Sequence, residues 1–383
     1  MNFLPAVVTT SDAGAGVGYT GIRVRGSDAT RVNVTINGVP YNDAESQGTF
    51  WVNMPDFASS TQSLQLQRGV GTSTNGAAAF GASLNNIKFS TGILSDHFEI
   101  SGRLSRINSD GYIDRARSDL DSYFLQGVYK DDNTLVKALL FGGHEITYQA
   151  WNGVTAEELE EEGRTYNSAG IYFDENGNRQ FYNNEVDDYK QDHFQLHWNE
   201  TLSPEWSTNL ALHYTRGRGF FEQYREDEGF ADYGLEPIDI GGETINTTDL
   251  IRRRWLDNDF YGTVFSATYN KDNLKLILGG GYNEYKGDHF GEIIWARYAS
   301  GSEIGDRYYE DNSKKTDLNV YAKANYQLNN KWSIFGDVQY RGVGYQANGD
   351  DTGLVDDTFN FFNPKAGVTF NLNPNNNFYL SYA

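Results

Sequence analysis

From residue 92 onward, apolar and polar residues alternate with a period of two. Leu318, Val320, Ala322, Ala324, Tyr326 and Leu328 interleave with Asn319, Tyr321, Lys323, Asn325 and Gln327. Trp332, Ile334, Gly336, Val338 and Tyr340 interleave with Ser333, Asp337, Gln339 and Arg341, and Phe194, Leu196 and Trp198 with His193, Gln195 and His197. Successive side chains of a strand point to opposite faces, so the pattern predicts strands with one apolar and one polar face. The strands fall near 96–108, 119–131, 134–148, 189–201, 205–225, 254–271, 273–290, 314–329, 331–347, 357–371 and from 376 to the end.

The connections carry further information. Tight turns fall at Asp131-Asp132-Asn133, Ser203-Pro204, Lys271-Asp272-Asn273, Asn329-Asn330 and Asn373-Pro374-Asn375, and they alternate with long connections at 109–118, 149–188, 226–253, 291–313 and 348–356. Short turns at one end and long loops at the other are the plan of a transmembrane β-barrel. The strands also exceed the roughly 9–11 residues that a tilted strand needs to cross hydrocarbon. A soluble antiparallel sheet with one wet face would alternate too, but here no helical segments are predicted to cover the apolar face. The barrel reading puts Phe194, Leu196, Trp198, Leu318, Val320, Ile334 and Val338 toward lipid, and His193, His197, Lys323 and Gln339 inward.

Before residue 92 the pattern differs. Short apolar runs (22–24, 32–36 and 64–66) are separated by Gly, Asn and Asp, as in a small mixed domain of short strands. Asn37-Gly38 is a turn signal, and Pro40 cannot donate to a ladder.

Composition removes several alternatives. The 383 residues carry a formal net charge of −21, the wrong sign for a nucleic-acid binder. There is no cysteine, so neither disulfides nor thiolate metal sites arise. A mean hydropathy of −0.61 would ordinarily suggest a soluble chain, but a barrel hides its apolar surface in every second residue. No apolar run of 18 residues predicts a spanning helix. Met1 to Pro5 show no signal-peptide pattern, from which an incomplete N-terminus is expected.

The motifs of the first ninety residues are specific. Gly18-Tyr19-Thr20-Gly21-Ile22-Arg23-Val24-Arg25-Gly26 leads to Thr35-Ile36-Asn37-Gly38-Val39-Pro40. Arg68-Gly69-Val70-Gly71, Gly76 and Phe80-Gly81-Ala82-Ser83-Leu84-Asn85 follow. Taken alone, the glycines suggest a phosphate loop, but no Gly-Lys-Ser/Thr follows them. In order and spacing the elements resemble the plug of TonB-dependent outer-membrane receptors of the Bacteroidetes type. Tyr148-Gln149-Ala150-Trp151-Asn152-Gly153-Val154 extends the resemblance into a barrel loop.

That resemblance implies a mainly β fold, with a mixed α/β plug domain at 1–91 followed by antiparallel transmembrane β-barrel strands at 92–383, about eleven of an expected 22. It implies a plug truncated at its N-terminus and lacking the TonB-contact segment, and a barrel that stops in mid-strand. It also implies an outer-membrane location and active uptake of a scarce, bulky nutrient. The expected partners are a TonB-type energy-coupling protein, outer-membrane lipid and lipopolysaccharide, and a small-molecule or chelate ligand, with no cofactor. Arg25 and Arg68 are expected to be buried, and either to latch the plug to barrel carboxylates or to satisfy backbone carbonyls within the plug. Gly26, Asn37, Gly38, Pro40, Gly69, Gly71, Gly76, Phe80 and Gly81 form the plug motif. Tyr41, Trp51, Trp151 and Asn152 are the ligand-facing candidates. The Thr-Ile-Asn-Gly-Val-Pro form of the plug favours a siderophore, metal chelate or cobalamin-like cargo over a glycan. A glycan importer, a plug-less hydrolase or adhesin barrel, and a non-functional gene fragment are the alternatives.

Two other features stand out. Residues 155–188 carry ten acids against Arg164 and Arg179, either a cation-favouring lid or a solvated loop; Thr155 to Glu158 form a capping box and Gly163 ends the short helix it starts. A register centred on residue 203 would place His213 opposite His193, with His197 on the same face, and contacts to plug or lumen water suit the three imidazoles better than a metal. No catalytic constellation is visible, so an enzyme is not expected.

Overall fold

The computed structural model describes residues 7–61, 83–350, 352–373 and 376–382. The N-terminal unit is built from β1 (Val7–Ser11) paired with β2 (Thr20–Val24), and β3 (Thr35–Ile36) paired with β4 (Val39–Pro40), joined by short 3-10 turns. Two tight turns shape it. Asn37 and Gly38, at φ 54° and 84°, close the second hairpin, and Arg25 and Gly26, at 52° and 79°, reverse the chain after β2. Positive φ at both central residues is the hairpin geometry that Asn-Gly favours. The same geometry places Arg25 at a turn tip.

The remaining strands, apart from the small loop hairpins, form a 12-stranded antiparallel sheet. β5 (Ser83–Ser90), β6 (Phe98–Ser109), β7 (Ser118–Lys130) and β8 (Thr134–Tyr148) come first. A loop hairpin of β9 (Ile171–Phe173) and β10 (Arg179–Phe181) precedes β11 (Val186–Thr201) and β12 (Trp206–Gly229). A second hairpin, β13 (Ile238–Ile240) and β14 (Glu243–Ile245), precedes β15 (Thr247–Lys271) and β16 (Leu274–Ala296). β17 (Arg307–Gln327), β18 (Trp332–Gly349), β19 (Val355–Asn373) and β20 (Asn376–Tyr382) complete the sheet. Each sheet strand pairs with the next sheet strand in the chain, so the long connections share one end and the tight turns the other.

Two boundaries differ from expectation. β5 pairs with β6 along its length, so the sheet begins at Ser83 rather than after residue 91. The strands also run further toward the loop end than the apolar alternation does; β15 starts at Thr247 and β17 at Arg307. Beyond hydrocarbon the ladder hydrogen bonds persist while the outward face turns polar, so the period-two hydrophobic signal fades before the strand does.

The two faces separate as the alternation predicts. Phe194, Leu196, Trp198, Leu318, Val320, Ile334 and Val338 are exposed on the outer face, whereas His193 and His197 are buried. Trp206 packs on Tyr269 at 5.0 Å and Trp332 on Phe370 at 4.5 Å beside the tight turns, as an aromatic girdle would. On β12 the outward apolar run lasts from Trp206 to Tyr214 and is followed by Arg216, which pairs with Asp257 and with Asp259 (3.2 Å). Neighbouring strands carry charge at the same level: Arg106–Asp121, His144–Asp188, Lys190–Asp192 and Lys314–Glu284. This belt marks the loop-side limit of the apolar band.

The loops are themselves packed. Phe230, Tyr233, Leu235, Leu250 and Ile293 form a core beneath the second loop hairpin. In the first long loop the capping box of Thr155 and Glu158 starts the helix α1 (Ala156–Glu161), and Gly163 follows at φ 95°. Asn167 Nδ2 donates to Gln149 O at 2.9 Å and to Asp114 O at 3.1 Å, tying this loop to 110–117.

Candidate functional site

The plug segment 41–60 lies against the inward face of the sheet. Its strongest fixing point is Asp56, held in the left-handed region at φ 55°. Arg103 of β6 reaches its carboxylate at 2.9 Å and also donates to its backbone carbonyl. Ser105 Oγ donates to the same carboxylate at 2.7 Å, and Ser122 Oγ to Pro55 O at 2.6 Å. Side chains of Arg103 and Asp56 are 3% and 2% exposed, so the pair is dry. Gly143 of β8 admits this segment. A Cβ there would stand 2.6 Å from Asn53 O and 2.8 Å from Pro55 Cδ, so the plug backbone and the wall touch only because the residue is glycine.

A second fixing point lies several strands away. Glu45 accepts hydrogen bonds from Tyr285 OH at 2.9 Å, His289 Nε2 at 2.8 Å and Ser313 Oγ, while Lys315 Nζ donates to Ala44 O. Apolar contacts fill the space between them. Met54 packs with Leu139 and Phe141, and Phe57 lies 5.4 Å from the Phe141 ring.

The inward imidazoles serve this packing. His193 stacks on Phe141 at 4.7 Å and lies 5.5 Å from Tyr41, with Nδ1 2.9 Å from Thr215 Oγ1. Its expected cross-strand partner is not found: Thr215 faces His193, and His213 faces Gln195. The reason is the turn. Ser203 and Trp206 are its first and last residues, with Pro204 at the position where its fixed φ fits, so the register centre moves one residue forward. His213 Nε2 lies 2.7 Å from Asn283 Oδ1, and His197 Nε2 3.0 Å from Gln195 Oε1.

Between plug and wall, toward the loop ends of the strands, is a cavity of about 170 Å³. Tyr19, Tyr41 and Phe50 line it from the plug; Glu145, Asp187 and Tyr189 line it from β8 and β11. Gly219 makes room for Tyr189, whose ring carbon Cδ2 a Cβ at Gly219 would meet at 2.7 Å. Outside the strands, burial pushes the Glu185 carboxyl up to about 7, although Tyr224 N–H donates to it at 3.0 Å.

The candidate residues separate clearly. Tyr41 lines the cavity and lies 6.2 Å from Trp51. Trp151 Nε1 donates to Asp187 at 3.1 Å, linking the first long loop to the same place, while Asn152 is exposed on that loop. Gly26, Asn37, Gly38 and Pro40 form the hairpin turns described above. Arg25 is exposed at its turn tip and pairs with no carboxylate among the described residues, so the burial expected of it is not seen. Arg68, Gly69, Gly71, Gly76, Phe80 and Gly81 lie outside the described residues. The observed latch has the opposite polarity, with the arginine on the wall and the acid on the plug. Sequence inspection missed Asp56, Arg103, Glu45, Glu145 and Asp187. Inward parity in an otherwise apolar stretch was the available signal for Glu145; nothing local marks Asp56 as a partner of Arg103, 47 residues on.

Residues 128–383 match the TonB dependent receptor-like β-barrel family, and residues 1–83 match the TonB-dependent receptor plug domain. The chain therefore belongs to the TonB-dependent receptors, a family of outer-membrane receptors and transporters rather than enzymes. Among solved structures it is similar to the ferric citrate transporter FecA in its unliganded form (15% identity, TM-score 0.66, covering 99% of this chain and 58% of that one). It is similar also to the ferric-catecholate import receptor Fiu from E. coli K12 in its open form (12%, 0.57, 97% and 65%). The ferric yersiniabactin uptake receptor FyuA from Yersinia pestis gives 13%, 0.56, 99% and 60%. The chain thus spans 58–65% of the length of these three receptors. No curated protein matches it.

Proposed function

We propose that this protein acts in active uptake of a scarce, bulky ligand across the outer membrane, and that the ligand is a siderophore or other metal chelate, or a cobalamin-like molecule. The observation that carries this reading is the seating of the plug. Asp56 and Glu45 fix it at two separate places on the wall, and a cavity lined by plug and barrel residues lies toward the loop end. A wide barrel needs such a closure, and a closure held by a few polar contacts can be displaced by work done from the inner membrane. The solved structures it resembles include receptors for ferric citrate and ferric catecholates, which supports an iron-chelate cargo.

In this proposal a TonB-type protein supplies the work, and Tyr41, Trp51, Trp151 and Asn152 face the ligand. The outward belt of ion pairs that includes Arg106, Lys190, Arg216 and Lys314 meets the headgroup region, where its charged groups face lipopolysaccharide. A glycan is the competing cargo, because aromatic walls beside carboxylates also suit sugar rings.

The test is uptake of radiolabelled ferric chelates by cells with and without the gene, and with and without an uncoupler. Gene-dependent uptake that stops on uncoupling is expected. Equal uptake in all four conditions, or gene-dependent uptake of oligosaccharide alone, overturns the chelate reading.

A further inference from the structure

The cavity between plug and wall holds a charge arrangement that the plug seating does not use. Glu145 is 1% exposed and Asp187 is 6% exposed. Glu145 Oε1 accepts a long hydrogen bond from Tyr19 OH at 3.4 Å, and its Oε2 has no hydrogen-bond partner among the described residues. Asp187 accepts from Trp151 Nε1. Neither carboxylate forms an ion pair among the described residues. Asp43, the third acid of the lining, is satisfied within its own loop by Ser46 N and Ser46 Oγ, both at 2.7 Å. Arg254, the one lining residue with a cationic side chain among the described residues, donates Nε to Tyr309 OH at 3.0 Å and lies 4.8 Å from that ring.

We propose that this cavity receives a cationic group of the ligand, with the bulk of an alkylammonium, between the Glu145 and Asp187 carboxylates and the rings of Tyr41 and Tyr189. The proposal rests on the receptor reading and names the chemistry its ligand must present. Neither carboxyl group has an ion-pair partner among the described residues, so an entering cation would draw them into the charged form and be held by that charge, a gain that the neutral hydroxyls of a sugar do not supply. An anion would be repelled. Aromatic faces attract a cation through their ring quadrupoles, and the attraction grows when both partners are desolvated. Size agrees as well, since a dry cavity of roughly 150 Å³ accommodates one benzene.

The test holds shape constant and varies charge. The purified protein in detergent is titrated with n-butylammonium, n-butanol, butyrate and glucose, read by calorimetry and by Trp fluorescence, which includes Trp151. Butylammonium is expected to bind at least tenfold more tightly than butanol, with no binding of butyrate or glucose. Glu145→Gln is expected to lower butylammonium affinity at least tenfold. Equal affinity for butanol, binding of butyrate or glucose, or unchanged affinity in the folded variant overturns the proposal. Should Glu145→Gln fail to fold, the charge series on the unaltered protein decides alone. A protein that takes up ferric chelate yet ignores butylammonium keeps the receptor function and loses the cation assignment; the converse result separates them the other way.

Discussion

Asp56 of the plug and Arg103 of the first long barrel strand form an ion pair at 2.9 Å, with almost no solvent access to either side chain. Asp56 has its backbone in the left-handed region, and Arg103 holds both its carboxylate and its carbonyl. A bent plug segment and a buried wall arginine thus hold each other in place.

Removing one partner should therefore cost more than the pair contributes. Arg103→Ala leaves a dry carboxylate without counter-charge, a loss of roughly 3–5 kcal/mol. Urea titration of plug release should shift accordingly, and entry of large antibiotics should rise in cells carrying the variant. Arg25→Ala, at an exposed turn tip, should change neither. A larger effect from Arg25 than from Arg103 would return the latch to the plug arginine.

Gly143→Val tests the closeness of plug and wall. The added Cβ meets the Asn53 carbonyl and Pro55, so the plug must withdraw from β8. Gly336→Val adds its Cβ in open space on the lipid face and serves as the matched control. Limited proteolysis of the plug should accelerate in the first variant and stay unchanged in the second.

Charge on the outer face should be penalised by depth. Leu212→Arg lies within the apolar band of β12 and should cost about 2–4 kcal/mol in folding into lipid, whereas arginine in place of Tyr214, next to the charged belt, should cost about 0–1 kcal/mol. Denaturant-dependent folding into vesicles measures both. Similar penalties would show that the belt is not the edge of the hydrocarbon.

The first long loop should loosen as pH rises from about 4.5 to about 7. Glu185 has its carboxyl raised to about 7 by burial, against an ordinary value of 4.5. Between these values the folded loop holds a proton that the unfolded loop has lost, so stability is complete below the lower value and falls through the window. The full swing is of order 3 kcal/mol. Protection of the Tyr224 and Gln149 amides, taken relative to the intrinsic base-catalysed exchange rate at each pH, should fall across that range, and Glu185→Gln should flatten the dependence.

What the sequence determined is the lipid-facing half of the design. Alternation from Phe194 to Trp198 and from Leu318 to Leu328 follows from strand geometry and the apolar solvent outside, and both are local properties of the chain. The Asn37-Gly38 hairpin and the capping box at Thr155 were legible for the same reason, since each is decided within a few residues. The interior was not. Which inward polar group meets which plug residue depends on contacts between distant segments, as with Glu45 and His289, 244 positions apart. Even the His193 register turned on which residue of Ser203-Pro204-Glu205-Trp206 opened the turn, a shift of one position that no alternation pattern reveals. The polarity of the latch, and the enclosure of Glu145 and Asp187 beside Tyr19 and Tyr41, exist only once plug and wall come together and exclude water between them.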